Sequence, residues 1–218
     1  PTDMGVNMAG NCIFDDEAVS DASRREIVRR YYQAMCDLRT GRGEESAVAK
    51  IELLMNKAEI TVDINPTVAA SLRKAEETGM PAVAIELPDG QVITGKTSSL
   101  LGASSAALLN ALKVLAGLDD SLHLIAPEVI EPIQHLKVSH LGNHNPRLHT
   151  DETLIALSIS AVTDPNAERA MEHLAELSGC DAHSTVILSQ VDTDVFRKLG
   201  VNMSCEPRYQ TKKLYHKR

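Results

Sequence analysis

The segment PAVAIELPDGQVITGKTSSLLGASSAALLNALKVLAG (81–117) decides the fold of this chain. Its apolar run AVAIEL (82–87) predicts a buried strand, and the Pro-Asp-Gly sequence that follows is typical of a turn. QVITG (91–95) alternates apolar and polar residues, which predicts a strand that returns antiparallel to the first. A helix is predicted over 103–116. The segment therefore predicts a hairpin followed by a helix.

The same segment contains the phosphate-loop pattern G-x-x-x-x-G-K-[ST], from Gly90 to Thr97. In such a loop the backbone amides would surround the phosphates, Lys96 would contact the outer oxygens, and Thr97 would bind Mg²⁺. The Pro-Asp-Gly turn and the strand-like alternation after it favour the hairpin. We predict that residues 90–97 form a hairpin and not a phosphate loop.

A less specific anion site is compatible with that hairpin. The start of the helix near residue 103 is surrounded by small polar residues, and helix N-termini attract anions through free amides and the helix dipole. Serines at such positions are also typical N-caps, so a purely structural role is the alternative. The candidate ligand-binding residues here are Lys96, Thr97, Ser98 and Ser104.

The residues before this segment read as helices. Ser23 and Glu26 form a capping-box pattern for a helix over 23–39, and a second helix is predicted over 44–57. Asn65-Pro66 predicts the start of a third helix, which Gly79 would end. We expect residues 1–80 to form a helical segment that completes an upstream domain.

After the hairpin, helices and strands alternate. Helices are predicted from Pro127, with a kink at Pro132, over 164–179 and over 192–199; strands are predicted for STVILS (184–189) and VNMS (201–204). TLIALSISAV (153–162) fits either a helix or a strand. This order predicts an α/β fold, in which residues 81–218 form a layered domain with helices packed on a mixed sheet.

Composition and charge restrict the class of function. The 218 residues are 43% hydrophobic and 24% charged, which is typical of a folded protein. A net charge of −8 and an aromatic content of 3% disfavour nucleic-acid binding, which relies on basic and aromatic side chains. No apolar run is long enough for a membrane span. The four cysteines show no C-x-x-C spacing, which favours reduced thiols in a cytoplasm.

Because the chain starts at Pro1, we expect an upstream region to be missing. The last dozen residues are basic, and they form either a solvated tail or a contact with a sister subunit.

Four histidines lie within one polar stretch, and Arg147 lies among them. Three interpretations stay open: a surface loop, a functional loop in which Arg147 binds an anion while a histidine acts as a general acid or base, and a metal site. Because the spacings fix no common face and H-E-x-x-H is absent, we predict no shared metal. We also predict that Lys96 and Arg147 converge on one polar cleft. The histidines are His135, His140, His144 and His149.

A second possible reactive pair is Cys180 and His183, three residues apart before a predicted strand. A neighbouring imidazole can lower the pKa of a thiol and make it a nucleophile. The alternative is a buried structural cysteine after a helix end. His149, Cys180 and His183 are therefore the candidate catalytic residues.

Several long motifs resemble uncharacterised protein family 0371. They include PTDMGVNMAG (1–10), ELPDGQVITGKTSSLLGASSAALLNALK (86–113), GCDAHSTVILS (179–189) and FRKLGVNMSCEP (196–207). The resemblance covers nearly the whole chain. It implies the C-terminal portion of a bacterial, cytoplasmic, oligomeric protein about twice as long, without an established activity. It also implies a three-layer α-β-α fold similar in arrangement to the cytidine deaminases, but without their zinc ligands.

Three functions follow as hypotheses. The first is part of an enzyme that binds a phosphorylated or nucleotide ligand between this segment and the missing region. The residues that would bind it are Lys96, Thr97, Ser98, Ser104 and Arg147. The second is a structural or oligomerisation module without chemistry of its own, and the third is a metal-dependent hydrolase. The expected partners are a small anion and further copies of the chain; the sequence names no cofactor.

Overall fold

The first two strands form the predicted hairpin in the computed structural model, which describes residues 15–210. β1 (Ala82–Glu86) and β2 (Val92–Lys96) pair antiparallel. The Leu87 amide donates to the Gln91 carbonyl at 2.8 Å, and Gly90 closes the turn with a φ of 84°. Because residues 92–96 are paired with β1, their amides cannot converge on a phosphate. The hairpin prediction is confirmed, and the phosphate-loop pattern is a coincidence of sequence.

The hairpin belongs to a four-stranded mixed sheet in the order β2-β1-β3-β4. β3 (Asp181–Ser184) pairs antiparallel with β1, and β4 (Asn202–Cys205) pairs parallel with β3. The mixed α/β class predicted from the sequence is confirmed. The predicted position of the third strand is wrong, since β3 is formed by the mostly polar residues DAHS and the run at 185–189 is a loop. Hydrogen bonds to neighbouring elements outweigh the weak strand propensity of DAHS.

The helices cover most of the remaining described residues. They are α1 (Asp16–Arg39), α2 (Glu45–Lys57), α3 (Pro66–Thr78), α4 (Ala103–Leu115), α5 (Pro127–His135), α6 (Thr150–Ser160), α7 (Pro165–Glu172) and α8 (Gln190–Lys198). Short 3-10 turns lie at Val62–Ile64 and His173–Leu177, and a π-helical turn at Leu136–His140 follows α5. The segment that was ambiguous from the sequence is therefore a helix, α6.

The start of α1 differs from the prediction. The helix begins at Asp16, where the side chain of Asp15 accepts a hydrogen bond from the Ala18 amide at 2.8 Å. Ser23 lies inside the helix, and Glu26 pairs with arginines one turn later instead of capping. Asp15 is itself a strong N-cap residue, so the sequence held two possible starts and the earlier one is used.

Helices lie on both faces of the sheet. Neighbouring residues of a strand point to opposite faces, so two consecutive residues of β3 contact different groups of helices. Ala182 belongs to the main apolar cluster, together with residues of α4, α6 and α7. The ring of the next residue, His183, lies 4.6 Å from the ring of Tyr32 in α1. A second apolar cluster of α1, α2 and α3 lies on that side and contains Val28, Tyr32, Met55, Ile60 and Val68.

Close packing on β2 and two backbone hydrogen bonds fix α4 in place, and the hydrogen bonds hold its start next to the start of α6. Gly95 of β2 lies so close to α4 that a Cβ atom there would come within 2.1 Å of the Ala107 nitrogen. The Leu148 amide donates to the Leu100 carbonyl at 3.0 Å, and the Gly102 amide donates to the Leu148 carbonyl at 3.2 Å. The chain entering α4 therefore runs alongside the chain entering α6. No helix within residues 15–210 is both long enough and apolar enough to cross a membrane.

Candidate functional site

The first residues of three helices surround one cavity of about 310 Å³. α4 contributes Gly102 to Ser104, α6 contributes His149, and α8 contributes Ser189. Each helix N-terminus carries a partial positive charge and backbone amides that have no partner within the helix. Since the three ends meet at the same cavity, their effects on an anion add.

The three helix ends are capped differently. Ser189 caps α8 through a hydrogen bond from the Asp192 amide at 3.1 Å, and the Glu152 carboxylate accepts the His149 amide of α6 at 2.9 Å. The N-cap residue of α4 is Gly102, which has no side chain, and no side chain caps this helix. Ala103 and Ser104, in its first turn, are buried at the cavity wall. α4 is therefore the end best suited to accept a ligand oxygen.

Arg147 lies on the cavity wall with an unused donor. Its Nε donates to the Ser98 carbonyl at 2.5 Å, which fixes the guanidinium plane. Its Nη1 is buried and has no hydrogen-bond partner among residues 15–210. Buried donors are normally satisfied, so an unpaired guanidinium nitrogen is an unusual feature in a residue that lines a cavity.

A carboxylate–imidazole pair lies on the same wall. The Asp192 Oδ2 accepts from His149 Nδ1 at 3.0 Å and from the Ser189 hydroxyl at 2.7 Å. Its Oδ1 accepts from the amide and the hydroxyl of Thr150, at 2.9 and 3.0 Å. These four donors keep the buried carboxylate ionised and hold the imidazole ring in one orientation.

The pair shifts the pKa values of both groups. The hydrogen bond to Asp192 raises the pKa of His149, and this outweighs burial and the positive charge of Lys137. Burial would raise the pKa of Asp192, but the hydrogen bonds from His149 and the Thr150 amide lower it overall. Both shifts favour an ion pair at the cavity wall.

The site is not a serine-nucleophile relay. Such a relay needs the carboxylate and the serine on opposite ring nitrogens. Here both Asp192 and Ser189 contact His149 Nδ1, and the Ser189 hydroxyl lies 3.4 Å from it. Nε2 is the ring nitrogen left for a ligand. The described part of the chain contains no cluster of three or more His, Cys, Asp or Glu side chains that could hold a metal.

A buried lysine supports this wall from behind. Lys137 is 3% exposed, and its Nζ donates to the Arg147 carbonyl and to Glu152 Oε2, each at 2.6 Å. The first bond holds the backbone of the loop that carries Arg147, and the second holds the first turn of α6. Lys137 therefore positions the cation and the imidazole without lining the cavity.

The structure brings together part of the predicted site. Thr97, Ser104, Arg147 and His149 line the cavity, and Ser98 contributes its carbonyl to Arg147. Lys96 is exposed at the end of β2 and is not among the lining residues. The other three histidines are not among the residues that line the cavity with His149. The rings of His135 and His140 lie 5.4 Å from each other, and His144 is exposed.

Of the two alternatives for Cys180, a reactive pair with His183 or a buried structural cysteine, the structure has the second. The two side chains have different partners, because Cys180 Sγ lies 3.6 Å from the Glu176 carbonyl, whereas His183 Nδ1 lies 2.8 Å from the Ser204 hydroxyl. Residues three apart in an extended chain point to opposite sides. Burial also raises the pKa of the Cys180 thiol, which is the opposite of what a nucleophilic thiolate needs.

Comparison with known proteins places the chain in a family. The family model "domain of unknown function DUF1846, C-terminal" matches residues 63–215, and the corresponding N-terminal model matches residues 1–59. The chain belongs to the DUF1846 family. The resemblance predicted from the sequence is thereby confirmed, since relatives in this family carry the name UPF0371 protein.

Two of these relatives come from Streptococcus pyogenes serotype M5 and Streptococcus thermophilus. Each is 55% identical to this chain over 217 residues. The match covers 100% of this chain but 44% of each relative, so the chain spans less than half the length of the curated relatives that it matches. Their names state no activity.

Proposed function

We propose that this chain forms the anion-binding part of an enzyme, and that its cavity binds the phosphoryl group of a phosphorylated ligand or nucleotide. The observation that carries the proposal is the buried, unpaired Nη1 of Arg147 at a cavity bordered by three helix N-termini. A guanidinium and helix amides are the usual protein ligands of phosphate.

Several features favour a phosphoryl group over a carboxylate. Donors surround the cavity on several sides: the uncapped start of α4, the guanidinium of Arg147 and the imidazole of His149. A phosphoryl group offers three terminal oxygens in a tetrahedral arrangement and can use donors from several directions. The chain as a whole is acidic, with a net charge of −8, so general positive charge would not attract an anion. A local group of donors in one cavity is therefore a specific indication of an anion site.

The proposal is tested by titrating the complete protein with inorganic phosphate, pyrophosphate and a set of nucleotides while its melting temperature is followed. A ligand that binds only the folded state raises that temperature as its concentration exceeds Kd. We expect Arg147→Gln to abolish the shift. Lys96→Gln removes an equal charge outside the cavity and is the matched control, with a shift expected to stay near that of wild type. Equal losses in the two variants would contradict the proposal.

A structural or oligomerisation role is the second candidate, and one observation favours it. Ile155, Ile159 and Val162 lie near one another on α6 and the turn after it, and are 59%, 57% and 82% exposed. Apolar residues grouped on a surface often mark a contact with another subunit or region. We expect Ile159→Glu to change the sedimentation behaviour of the complete protein if this face is an interface, without changing phosphate binding.

A cytoplasmic setting is part of the proposal. It is supported by the cysteines of the described region, since Cys36, Cys180 and Cys205 are all free thiols. Free, buried thiols are typical of reducing compartments.

A further inference from the structure

The imidazole of His149 has one nitrogen committed and one available. Nδ1 is hydrogen bonded to the Asp192 carboxylate at 3.0 Å, and this carboxylate accepts three further hydrogen bonds. A fully ionised carboxylate at Nδ1 makes that nitrogen the N–H donor. Nε2 carries a second proton only when the ring is an imidazolium, and the side chain, 30% exposed, lines the cavity with Arg147.

Charged groups from every neighbouring element act on this ring. Asp192 on α8 and Glu152 on α6 favour the imidazolium, whereas Lys137 on the π-helical turn opposes it. Arg147, in the loop before α6, lies on the same cavity wall and is also positive. A bound anion would offset the positive charges of Lys137 and Arg147. The imidazolium would then be favoured by both carboxylates and by the ligand.

We propose that His149 is the proton donor of this cavity: its Nε2–H binds a phosphoryl oxygen, so that the ligand and one proton bind together. This inference rests on the proposed function. The ligand class is a phosphomonoester dianion, whose oxygen accepts the proton of the imidazolium in a hydrogen bond. Asp192 acts as a positioning residue, since it fixes the ring tautomer and makes the ring more basic.

Coupling between a proton and an anion is reciprocal. If the anion binds the imidazolium more tightly, it must raise the pKa of His149 by the same factor. The affinity for an anion that does not itself titrate then falls by at most about tenfold per pH unit between the pKa of His149 in the free protein and its raised pKa in the complex, and is constant above that. Sulfate is the suitable probe, because it stays a dianion across this range while phosphate does not.

The experiment measures sulfate affinity of the complete protein by calorimetry between about pH 5 and pH 9, the range in which histidine titrates. It also follows the His149 ring proton by NMR with and without sulfate. We expect wild type to lose affinity as pH rises and sulfate to raise the pKa of His149. The His149→Gln variant should bind with a weak, pH-independent affinity, and in Asp192→Asn the loss should begin at lower pH. His144→Gln removes an exposed histidine of the same loop and should behave like wild type.

The possible outcomes separate the two proposals. Sulfate binding with the same pH dependence in wild type and His149→Gln would overturn the role of His149 while leaving the anion cavity intact. Binding that Arg147→Gln does not weaken, or no binding of sulfate at any pH, would overturn both. Melting curves of each variant show that it is folded at the temperature of the titration.

Discussion

Asp192 is the residue on which the cavity wall depends. Its buried carboxylate accepts hydrogen bonds from three residues of two helices, and hydrogen bonds to a charged group contribute about 1.5–3 kcal/mol each. Two of these partners, His149 and Thr150, lie about forty residues away in sequence at the start of α6, and the third, Ser189, caps α8. One side chain therefore joins the starts of α6 and α8 and sets the ring orientation of His149.

The pair makes stability depend on pH. His149 has a raised pKa in the folded state, so its contribution is fully present below its unfolded pKa of about 6.5 and is lost as pH rises through the folded value. Asp192 has a lowered pKa, so its contribution is present above about 3.8 and is lost as pH falls through the folded value. The ion pair is therefore most stabilising between about pH 4 and pH 6.5.

We predict that His149→Gln lowers the free energy of unfolding by about 1–3 kcal/mol near pH 5.5, because it removes a hydrogen bond between charged groups. The loss should shrink towards pH 9, where wild type carries a neutral imidazole. Urea unfolding at several pH values measures it, with His144→Gln as the control. An equal loss at every pH would contradict a contribution that depends on the charge of the ring.

Between elements, β2 and α4 are in very close contact at Gly95. Alanine at position 95 would bring its Cβ within 2.1 Å of the Ala107 nitrogen, and helix backbone cannot move aside without shifting α4. We predict that Gly95→Ala lowers the free energy of unfolding by about 3 kcal/mol, as expected for overpacking against backbone. Gly102→Ala is the control, since its Cβ would lie an ordinary 3.5 Å from the Leu148 oxygen. Chemical denaturation compares them, and similar losses would contradict this account of the packing.

The loop before α6 depends on a buried ion pair. Replacing Lys137 with methionine leaves the Glu152 carboxylate without its main partner, and breaking such a pair costs about 3–5 kcal/mol. Because Glu152 is 25% exposed, we predict a loss near the lower end of that range. The double variant Lys137→Met/Glu152→Gln should recover part of the stability, since it removes the unpaired charge. Double-mutant analysis of unfolding free energies would contradict the prediction if the two losses were simply additive.

The elements that the sequence predicts well are those whose signals are local. Asn65 and Pro66 start α3 as expected, because an N-cap and a first-turn proline act within one turn. The hairpin is equally local. β3 was missed because its residues are polar and become buried only through partners far away, such as Ser204 for His183. The apolar run after it was taken for the strand, although apolar residues also line loops.

The site shows the same limit. Ser104 and His149 were candidates because of their local context, but nothing in the sequence linked His149 to Asp192, which is 43 residues away. Lys137 gave no signal at all, since lysines are seldom buried. Lys96 is a candidate from the sequence because it stands just before the serine-rich start of α4. In the structure it is exposed at the end of β2 and is not among the residues that line the cavity.

On the scale of the whole molecule, ion pairs connect α1 to the sheet. Arg29 contacts Asp181 of β3 at 2.6 Å, and Arg25 contacts Glu86 of β1 at 2.5 Å. α1 lies in the part matched by the N-terminal family model and the sheet in the part matched by the C-terminal one. These contacts therefore join the two family regions. The division of the chain at residue 80 stays a prediction; α3, which precedes it, packs against β1, β2 and β3.

We predict that Asp181→Ala lowers the free energy of unfolding by about 3 kcal/mol, because it removes the most buried carboxylate that contacts Arg29 and Arg25 and leaves both arginines with more exposed partners. Asp194→Ala breaks an exposed pair with Arg197 and should cost less than about 1 kcal/mol. Urea unfolding distinguishes the two. A loss for Asp181→Ala as small as that for Asp194→Ala would contradict the stabilising role of Asp181 between α1 and the sheet.

The anion cavity at the starts of α4, α6 and α8 is the central claim, and locating a heavy anion in crystals tests it most directly. Crystals of the complete protein soaked in tungstate would be measured at the tungsten absorption edge. The account predicts an anomalous peak inside the cavity, with the anion oxygens about 3 Å from the Arg147 guanidinium and from the first amides of α4. An empty cavity, with peaks only at surface cations such as Lys96, would contradict it.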